Sequence, residues 1–161
     1  MRAILSTLFL VLTVWPMALH AQAKPVDFVR GMYAQYAWET TDTESDKRLP
    51  LFSEGRLVLQ RYLDATLTKA VLADHACAAR EGECNLDFEP MWDSQDPGGA
   101  TVDVVATPDA TVVQARIHYP YNNETRVVTY RLRSTADGWR ITDMASPRWR
   151  SLLQLLRRRA P

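Results

Sequence analysis

Four carboxylates and two large apolar side chains crowd the stretch NLDFEPMWDSQDPGG, residues 85–99. Carboxylates at this density can bind a metal ion, move protons, attract a cationic partner or cap turns. The acids are Asp87, Glu89, Asp93 and Asp96. Their spacing does not match a calcium-binding loop, which needs oxygen ligands at alternating positions and a glycine at its sharp turn. The sequence therefore predicts no metal site and no cofactor.

Catalysis by proton transfer would need one of these carboxylates to act with a second carboxylate, with His118 or with Tyr130. Burial would also have to raise the pKa of that carboxylate toward neutrality. The sequence contains no Ser/His/Asp, Cys/His or HExxH arrangement. We therefore predict no catalytic residue and a protein that acts by binding. An enzyme of isomerase or hydrolase type is the less favoured alternative.

The stretch 85–99 supports two further interpretations, one structural and one functional. Asp and Ser side chains satisfy backbone N–H groups in turns, while Phe88 and Trp92 would pin the segment onto the core. Alternatively, the acids meet a basic protein surface, with Trp92 as the central anchor if it is exposed. The sequence leaves both open. The candidate partner-binding or ligand-binding residues are Asp87, Trp92, Asp93, Gln95 and Asp96.

The N-terminus has the pattern of a secretory signal peptide. Met1-Arg2 is followed by an almost wholly apolar run from Ala3 to Val14, and Ala21-Gln22-Ala23 provides small residues for a cleavage site. We expect cleavage between Ala23 and Lys24, so that residues 1–23 are the signal peptide and 24–161 one domain. Lys24 is not a lipid-accepting cysteine, which predicts a soluble periplasmic protein.

The charge balance limits the classes of partner. Lys and Arg number 19, and so do Asp and Glu, whereas nucleic-acid binders usually carry a clear basic excess. We therefore expect no nucleic-acid partner. Arginines nevertheless crowd the C-terminus, where they favour a solvated helix end over contact with an anionic membrane. They are Arg148, Arg150, Arg157, Arg158 and Arg159.

The two cysteines, Cys77 and Cys84, enclose a short segment. In an oxidising compartment such a pair is typical of a structural disulfide. A redox role would favour the C-x-x-C spacing, and a metal site would need more ligands than the nearby His75.

Apolar residues with helical spacing predict two helices before residue 100. The first runs from Pro25 to about Trp38, and a loop ending at Pro50 follows it. The second begins near Ser53, which would be its N-cap. Its core-facing stripe is Leu59, Leu63, Leu67 and Val71.

From Ala100 the apolar residues alternate, which predicts four consecutive strands joined by short turns in an antiparallel meander. The tail, residues 148–159, is amphipathic and predicts a short helix. The expected class is α+β, with N-terminal helices on one face of a curved four-stranded antiparallel sheet and a short C-terminal helix.

Two segments carry a resemblance to known families. Residues 137–143 resemble the closing strand of nuclear transport factor 2-like (cystatin-like) cone folds, and residues 87–96 resemble the acidic segment of the YbjP-like family of exported bacterial domains of unknown function. The resemblance spans Phe28 to about Leu156. One departure is that the type member is a lipoprotein, whereas this chain lacks the lipid-accepting cysteine.

This resemblance implies a cone with a pocket between helices and sheet, a scaffold that serves enzymes, ligand binders and protein-binding modules alike. Similar small periplasmic families resemble immunity proteins, which implies a protein partner such as a secreted antibacterial toxin. A small apolar or amphipathic ligand in the pocket is the alternative. Its expected lining is Tyr33, Tyr36, Tyr62 and Trp92.

Overall fold

The structure is a computed structural model that describes residues 24–41 and 48–158. The predicted signal peptide, with Ala23, lies outside this range. The described chain confirms the α+β class, because helices precede an open four-stranded antiparallel sheet and a short helix follows it. The helices are α1 (Pro25–Gln35), α2 (Arg56–Tyr62), α3 (Ala65–Glu81) and α4 (Leu152–Leu156), with short 3₁₀ turns at Ala37–Thr40 and Leu51–Ser53. The strands are β1 (Thr101–Ala106), β2 (Val112–Tyr119), β3 (Glu124–Thr135) and β4 (Gly138–Ala145).

The sheet follows chain order, β1-β2-β3-β4, and every pair is antiparallel. On β2 the predicted alternation is confirmed, since Val113, Ala115 and Ile117 are fully buried while Arg116 between them is exposed. Helix α1 packs on β1 and β2, whereas α2, α3 and α4 pack on β4. The core therefore lies between the helices and the inner face of the sheet.

The second helix starts later than expected and is interrupted. Ser53 lies in a 3₁₀ turn, and Gly55 occupies the N-cap position of α2. The predicted single helix is wrong because Asp64 ends it: its backbone N–H bonds to the Ile141 carbonyl at 2.9 Å, and its side chain caps α3 through the Leu67 N–H at 2.8 Å. The predicted stripe is still buried, because Leu63 at the break contacts β4 instead.

The first and last helices of the described chain are shorter than the apolar patterns of the sequence predict. Helix α1 ends at Gln35, and residues 37–40 continue as a 3₁₀ turn. At the C-terminus, Ser151 caps the five-residue α4 through the Gln154 N–H. The apolar side of this tail is buried as expected, with Trp149 and Leu152 in the core. The tail thus closes one end of the sheet and lies beside the 85–99 stretch.

Candidate functional site

The 85–99 stretch is fastened to α3 at its beginning. The positive φ of Gly82, 89°, ends α3, and the predicted disulfide between Cys77 and Cys84 is present. The buried Asp74 carboxylate then accepts hydrogen bonds from the Asn85 and Leu86 backbone N–H groups, at 2.9 and 3.2 Å. Hydrogen bonds from backbone N–H groups to a carboxylate are stronger than those between neutral groups. The segment that follows is therefore held in one place.

A tight turn at residues 89–94 reverses the chain at the centre of the stretch. Glu89 N–H donates to the Ser94 carbonyl at 2.9 Å, and Asp93 adopts the left-handed conformation with φ of 52°. After the turn, the Ser94 hydroxyl accepts from the Asp96 N–H, and the Asp96 carboxylate accepts from the Gly98 N–H at 3.0 Å. The structural interpretation of these side chains is thus confirmed for Ser94 and Asp96.

Asp93 joins three parts of the fold. Its carbonyl accepts hydrogen bonds from Arg126 on β3 and, at 2.8 Å, from Arg148 after β4. Its carboxylate accepts from the Trp149 indole N–H at 2.6 Å. Asp93 is 1 % exposed and Trp92 is also 1 % exposed. Neither side chain can therefore contact a partner at the surface, and Trp92 does not meet the condition of exposure that an anchor would need.

Aromatic side chains fill part of the space between helices and sheet where a cone-fold pocket was expected, and Tyr33 and Trp92 also line a groove of about 360 Å³ between α1 and β1. Tyr33 packs edge-on against Trp92 at 5.1 Å between ring centroids and against Tyr130 at 6.1 Å. The Tyr33 hydroxyl donates to the Met91 carbonyl and lies 2.7 Å from the Tyr130 hydroxyl. Tyr36 is also buried and packs on the half-buried Tyr62. The four rings expected to line a ligand pocket thus pack in two groups, Tyr33 and Trp92 with Tyr130, and Tyr36 with Tyr62.

The sequence did not predict the raised pKa values of two carboxyl groups beside this cluster, Glu39 and Glu89. Burial raises the pKa of Glu39 to about 7 despite the nearby Trp92 indole N–H, which lowers it. Burial, and then repulsion from Glu39, raise the pKa of Glu89 well above its usual range. The Oε1 atom of each has no hydrogen-bond partner, nor has the Trp92 indole N–H. Glu89 occupies a position between apolar residues 88 and 90–92, which is the one sequence signal for its burial.

Three surface grooves meet at Asp87 and Phe88. The first, called here the loop groove, has a volume of about 560 Å³. Of the predicted site residues it brings together Asp87, Gln95 and Asp96, while Trp92 and Asp93 are buried and do not line it. The loop groove is lined by Asp87, Phe88, Ser94, Gln95, Asp96, Gly98, Tyr121, Arg126 and Arg148.

The electrostatics of the loop groove are mixed rather than acidic. The Arg126 guanidinium binds both carboxylate oxygens of Glu124, at 2.8 and 2.9 Å, which lowers the pKa of Glu124 to about 2. Arg126 also lies over the Tyr119 ring at 4.6 Å. Arg148 is more than half exposed at the edge of the groove. Two arginines thus face the carboxylates that we expected to attract a basic partner.

The second groove, of about 430 Å³, shares Asp87, Phe88 and Gln95 with the loop groove. Phe52, His75 and Glu89 are among its lining residues. A ring nitrogen of His75, Nε2, lies 2.6 Å from the Phe52 carbonyl oxygen. That contact holds His75 against the 3₁₀ turn rather than against a carboxylate.

Neither a metal centre nor a membrane span is found in the described part of the chain. No group of three or more His, Cys, Asp or Glu side chains in residues 24–41 and 48–158 is arranged to hold a metal ion. Over the same residues, the helices are too short or too polar to cross a lipid bilayer.

Comparison with known proteins gives no family. No protein-family model matches the chain, and no curated protein matches its sequence. Among solved structures, the chain is distantly similar to a phospholipid-binding protein from Ralstonia solanacearum determined with a bound phospholipid. The TM-score is 0.35 and the identity 16%, over 83% of this chain and 69% of that one. The YbjP-like resemblance and the cone fold therefore stay predictions.

Proposed function

We propose that this protein is a non-catalytic binding protein that recognises a protein partner through the loop groove. The observation that carries the proposal is the convergence of three open grooves on Asp87 and Phe88. Tyr121 stands at the edge of the loop groove with 66 % of its surface exposed, beside the exposed Arg148. Exposed tyrosine and arginine side chains are the types that contribute most to the affinity of protein interfaces.

A protein partner is supported over an interior ligand by how the core is filled. The Tyr33, Trp92 and Tyr130 rings pack together between helices and sheet, and the two tyrosine hydroxyl groups already have hydrogen-bond partners. A ligand there would have to displace packed aromatic groups, which costs several kcal/mol. The grooves, in contrast, are open to a partner without rearrangement.

Catalysis is disfavoured by the position of the perturbed carboxyls. A general acid or base must come within hydrogen-bonding reach of its substrate. The Oε1 atoms of Glu39 and Glu89 are both buried without solvent contact. Burial is the first cause of both raised pKa values, which are therefore better explained by packing than by a catalytic role.

The identity and location of the partner follow only from the family resemblance and the N-terminal pattern. Exported domains of this type resemble immunity proteins, so the partner class that we propose is a secreted antibacterial toxin. The proposed location is the periplasm, after cleavage between Ala23 and Lys24. A small-molecule ligand in a surface groove is the alternative.

The test uses residues 24–161 as bait against secreted and envelope proteins of the source organism. We expect one stoichiometric partner, whose affinity for Tyr121→Ala and for Asp87→Lys is about tenfold weaker, because each change removes or reverses a contact at the groove. Leu57→Ala is the matched control for tyrosine, since Leu57 is 79 % exposed on α2. Asp137→Lys, at the exposed β3–β4 turn, is the control for charge reversal.

The proposal is overturned if both groove variants bind as tightly as the two controls. It is also overturned if no partner is captured while native mass spectrometry finds a small molecule retained by the protein. That second result would support the alternative.

A further inference from the structure

The third groove, called here the arginine groove, lies between the start of the 85–99 stretch and the C-terminal tail. Its volume is about 470 Å³. Arg148, Arg150 and Arg158 line it together with the neutral donor Gln154. Phe88 and Trp149 also line it, with their rings 5.9 Å apart. Three guanidinium groups thus share one concavity that also has an apolar wall.

The positive charge of this groove is compensated at Arg148, which lies 3.7 Å from the Asp93 carboxylate, but, among the described residues, not at the other two arginines. Arg150 and Arg158 are exposed and have no ion pair with any residue in the described part of the chain. Asp87 is the only carboxylate among the lining residues given for the groove. The nearby Asp143 carboxylate accepts hydrogen bonds from the Ser151 hydroxyl at 2.7 Å and the Leu153 N–H at 3.0 Å instead of forming an ion pair with Arg150 or Arg158. Like charges that line one concavity are stabilised when an anion binds between them.

Arg148 is already positioned by the fold. One of its terminal nitrogens donates to the Asp93 carbonyl at 2.8 Å, and the same nitrogen lies 3.7 Å from the Asp93 carboxylate. The side chain therefore does not have to be ordered when a ligand arrives, which lowers the entropic cost of binding. Arg150 and Arg158 come from either side of α4, so the same short helix places both.

We propose that the arginine groove binds a phosphate group. Guanidinium groups present paired N–H donors that match the oxygens of a phosphate group. Three positive charges also match the charge of a phosphate better than the single charge of a carboxylate. The Phe88 and Trp149 rings are placed to contact an apolar portion of the same ligand. This inference does not depend on a protein partner, because binding is measurable on the isolated chain.

The experiment titrates residues 24–161 at constant ionic strength with two phosphate probes. Glycerol 3-phosphate, followed by ¹H–¹⁵N spectra, represents a soluble phosphate ester. Co-sedimentation with vesicles of phosphatidylglycerol in phosphatidylcholine, compared with phosphatidylcholine alone, represents a lipid headgroup. We expect saturable binding of at least one probe, with spectral changes at residues 148–158 in the soluble case. Binding of glycerol 3-phosphate assigns a soluble ligand, and binding of the vesicles alone assigns a lipid.

The Arg150→Gln/Arg158→Gln double variant should bind about tenfold more weakly, because it loses two charge-assisted contacts. The matched control is Arg56→Gln/Arg61→Gln, which removes the same charge from exposed positions of α2. Equal losses in both double variants would show nonspecific charge attraction and overturn the site. Absence of binding to both probes, or equally tight binding of an octaglutamate peptide, would overturn it too. Tyr121→Ala should leave phosphate binding unchanged, so a failed phosphate site and a failed partner surface are distinguishable.

Discussion

Asp93 is buried, and its hydrogen bonds connect two segments of the fold. Its carboxylate holds the Trp149 indole N–H and its carbonyl holds Arg148, so the turn at residues 89–94 and the C-terminal tail share one connection. Its φ of 52° is a conformation that Asn and Asp tolerate better than most residues. Both properties predict a structural role for a residue that the sequence placed at a binding edge.

Replacing Asp93 with Ala should destabilise the fold by about 3 kcal/mol, because a hydrogen bond to a charged group is lost and the left-handed conformation becomes less favourable. Asp93→Asn is the matched control, since Asn keeps an acceptor for Trp149 and tolerates the positive φ. Its cost should be about 1 kcal/mol or less. Urea unfolding of the three proteins measures both values. Equal costs for Ala and Asn would contradict the role assigned to the carboxyl oxygen.

The buried carboxyls make stability depend on pH in a direction opposite to that of most acids. The pKa of Glu39 is raised to about 7 and that of Glu89 well above its usual value, chiefly by burial. The folded state therefore holds protons that the unfolded state releases above about pH 4.5. The contribution of these two carboxyl groups to the free energy of unfolding is fully present below that pH. It is lost as the pH rises through their pKa values in the folded state.

The Glu89→Gln variant should show a shallower loss of unfolding free energy between pH 5 and 8 than the wild type, because Gln cannot ionise in the core. Glu83→Gln, at an exposed position, is the control and should follow the wild type. Denaturant unfolding at several pH values gives the comparison. A Glu89→Gln profile parallel to that of the wild type would mean that Glu89 does not titrate differently in the two states.

At the scale of elements, the break between α2 and α3 shows tertiary contacts overriding a local pattern. The leucine stripe is continuous through Leu63, yet the helix stops there because β4 offers the Ile141 carbonyl to the Asp64 N–H. The Asp64 side chain then caps α3. Two N–H groups that a continuous helix would satisfy, those of Asp64 and Leu67, thus find other acceptors at the interruption.

Removal of this cap by Asp64→Ala should cost about 1 kcal/mol of stability, because the Leu67 N–H loses its acceptor. Asp64→Asn keeps a capping oxygen and should cost much less. Arg133→Ala removes the Asp64–Arg133 ion pair, which spans 3.4 Å, and leaves the cap in place. Because the Arg133 side chain is exposed, this variant should cost little stability. Thermal unfolding distinguishes the three variants. A large loss in Arg133→Ala would instead assign the stability to the ion pair.

At the scale of the whole molecule, the N-terminal pattern predicts processing and export. When the full chain is expressed in a Gram-negative host, the periplasmic fraction should contain a species with the intact mass of residues 24–161. Replacing Ala21 and Ala23 with Phe should block cleavage, because the cleavage site requires small residues at these positions. Gln22→Phe, at the intervening position, is the control and should be processed. An uncleaved wild-type chain in the cytoplasm would contradict both the domain boundary and the proposed location.

Local patterns in the sequence were enough to predict the α+β class, the four-stranded meander, the buried face of β2 and the disulfide. These depend on patterns within a few residues, namely alternation, turn formers and cysteine spacing. The sequence also located the stretch around which the grooves form, because acids and aromatics are dense there.

Only the tertiary structure decided which of those side chains are accessible. Trp92 and Asp93 are adjacent to Gln95 and Asp96 in sequence, but the turn at residues 89–94 directs the first two inward and leaves the latter two at the surface. Arg126 from β3 and Arg148 from the segment after β4 turn an acidic segment into a surface of mixed charge. Burial and charge are sums over neighbours from the whole chain, and for that reason local sequence could not supply them.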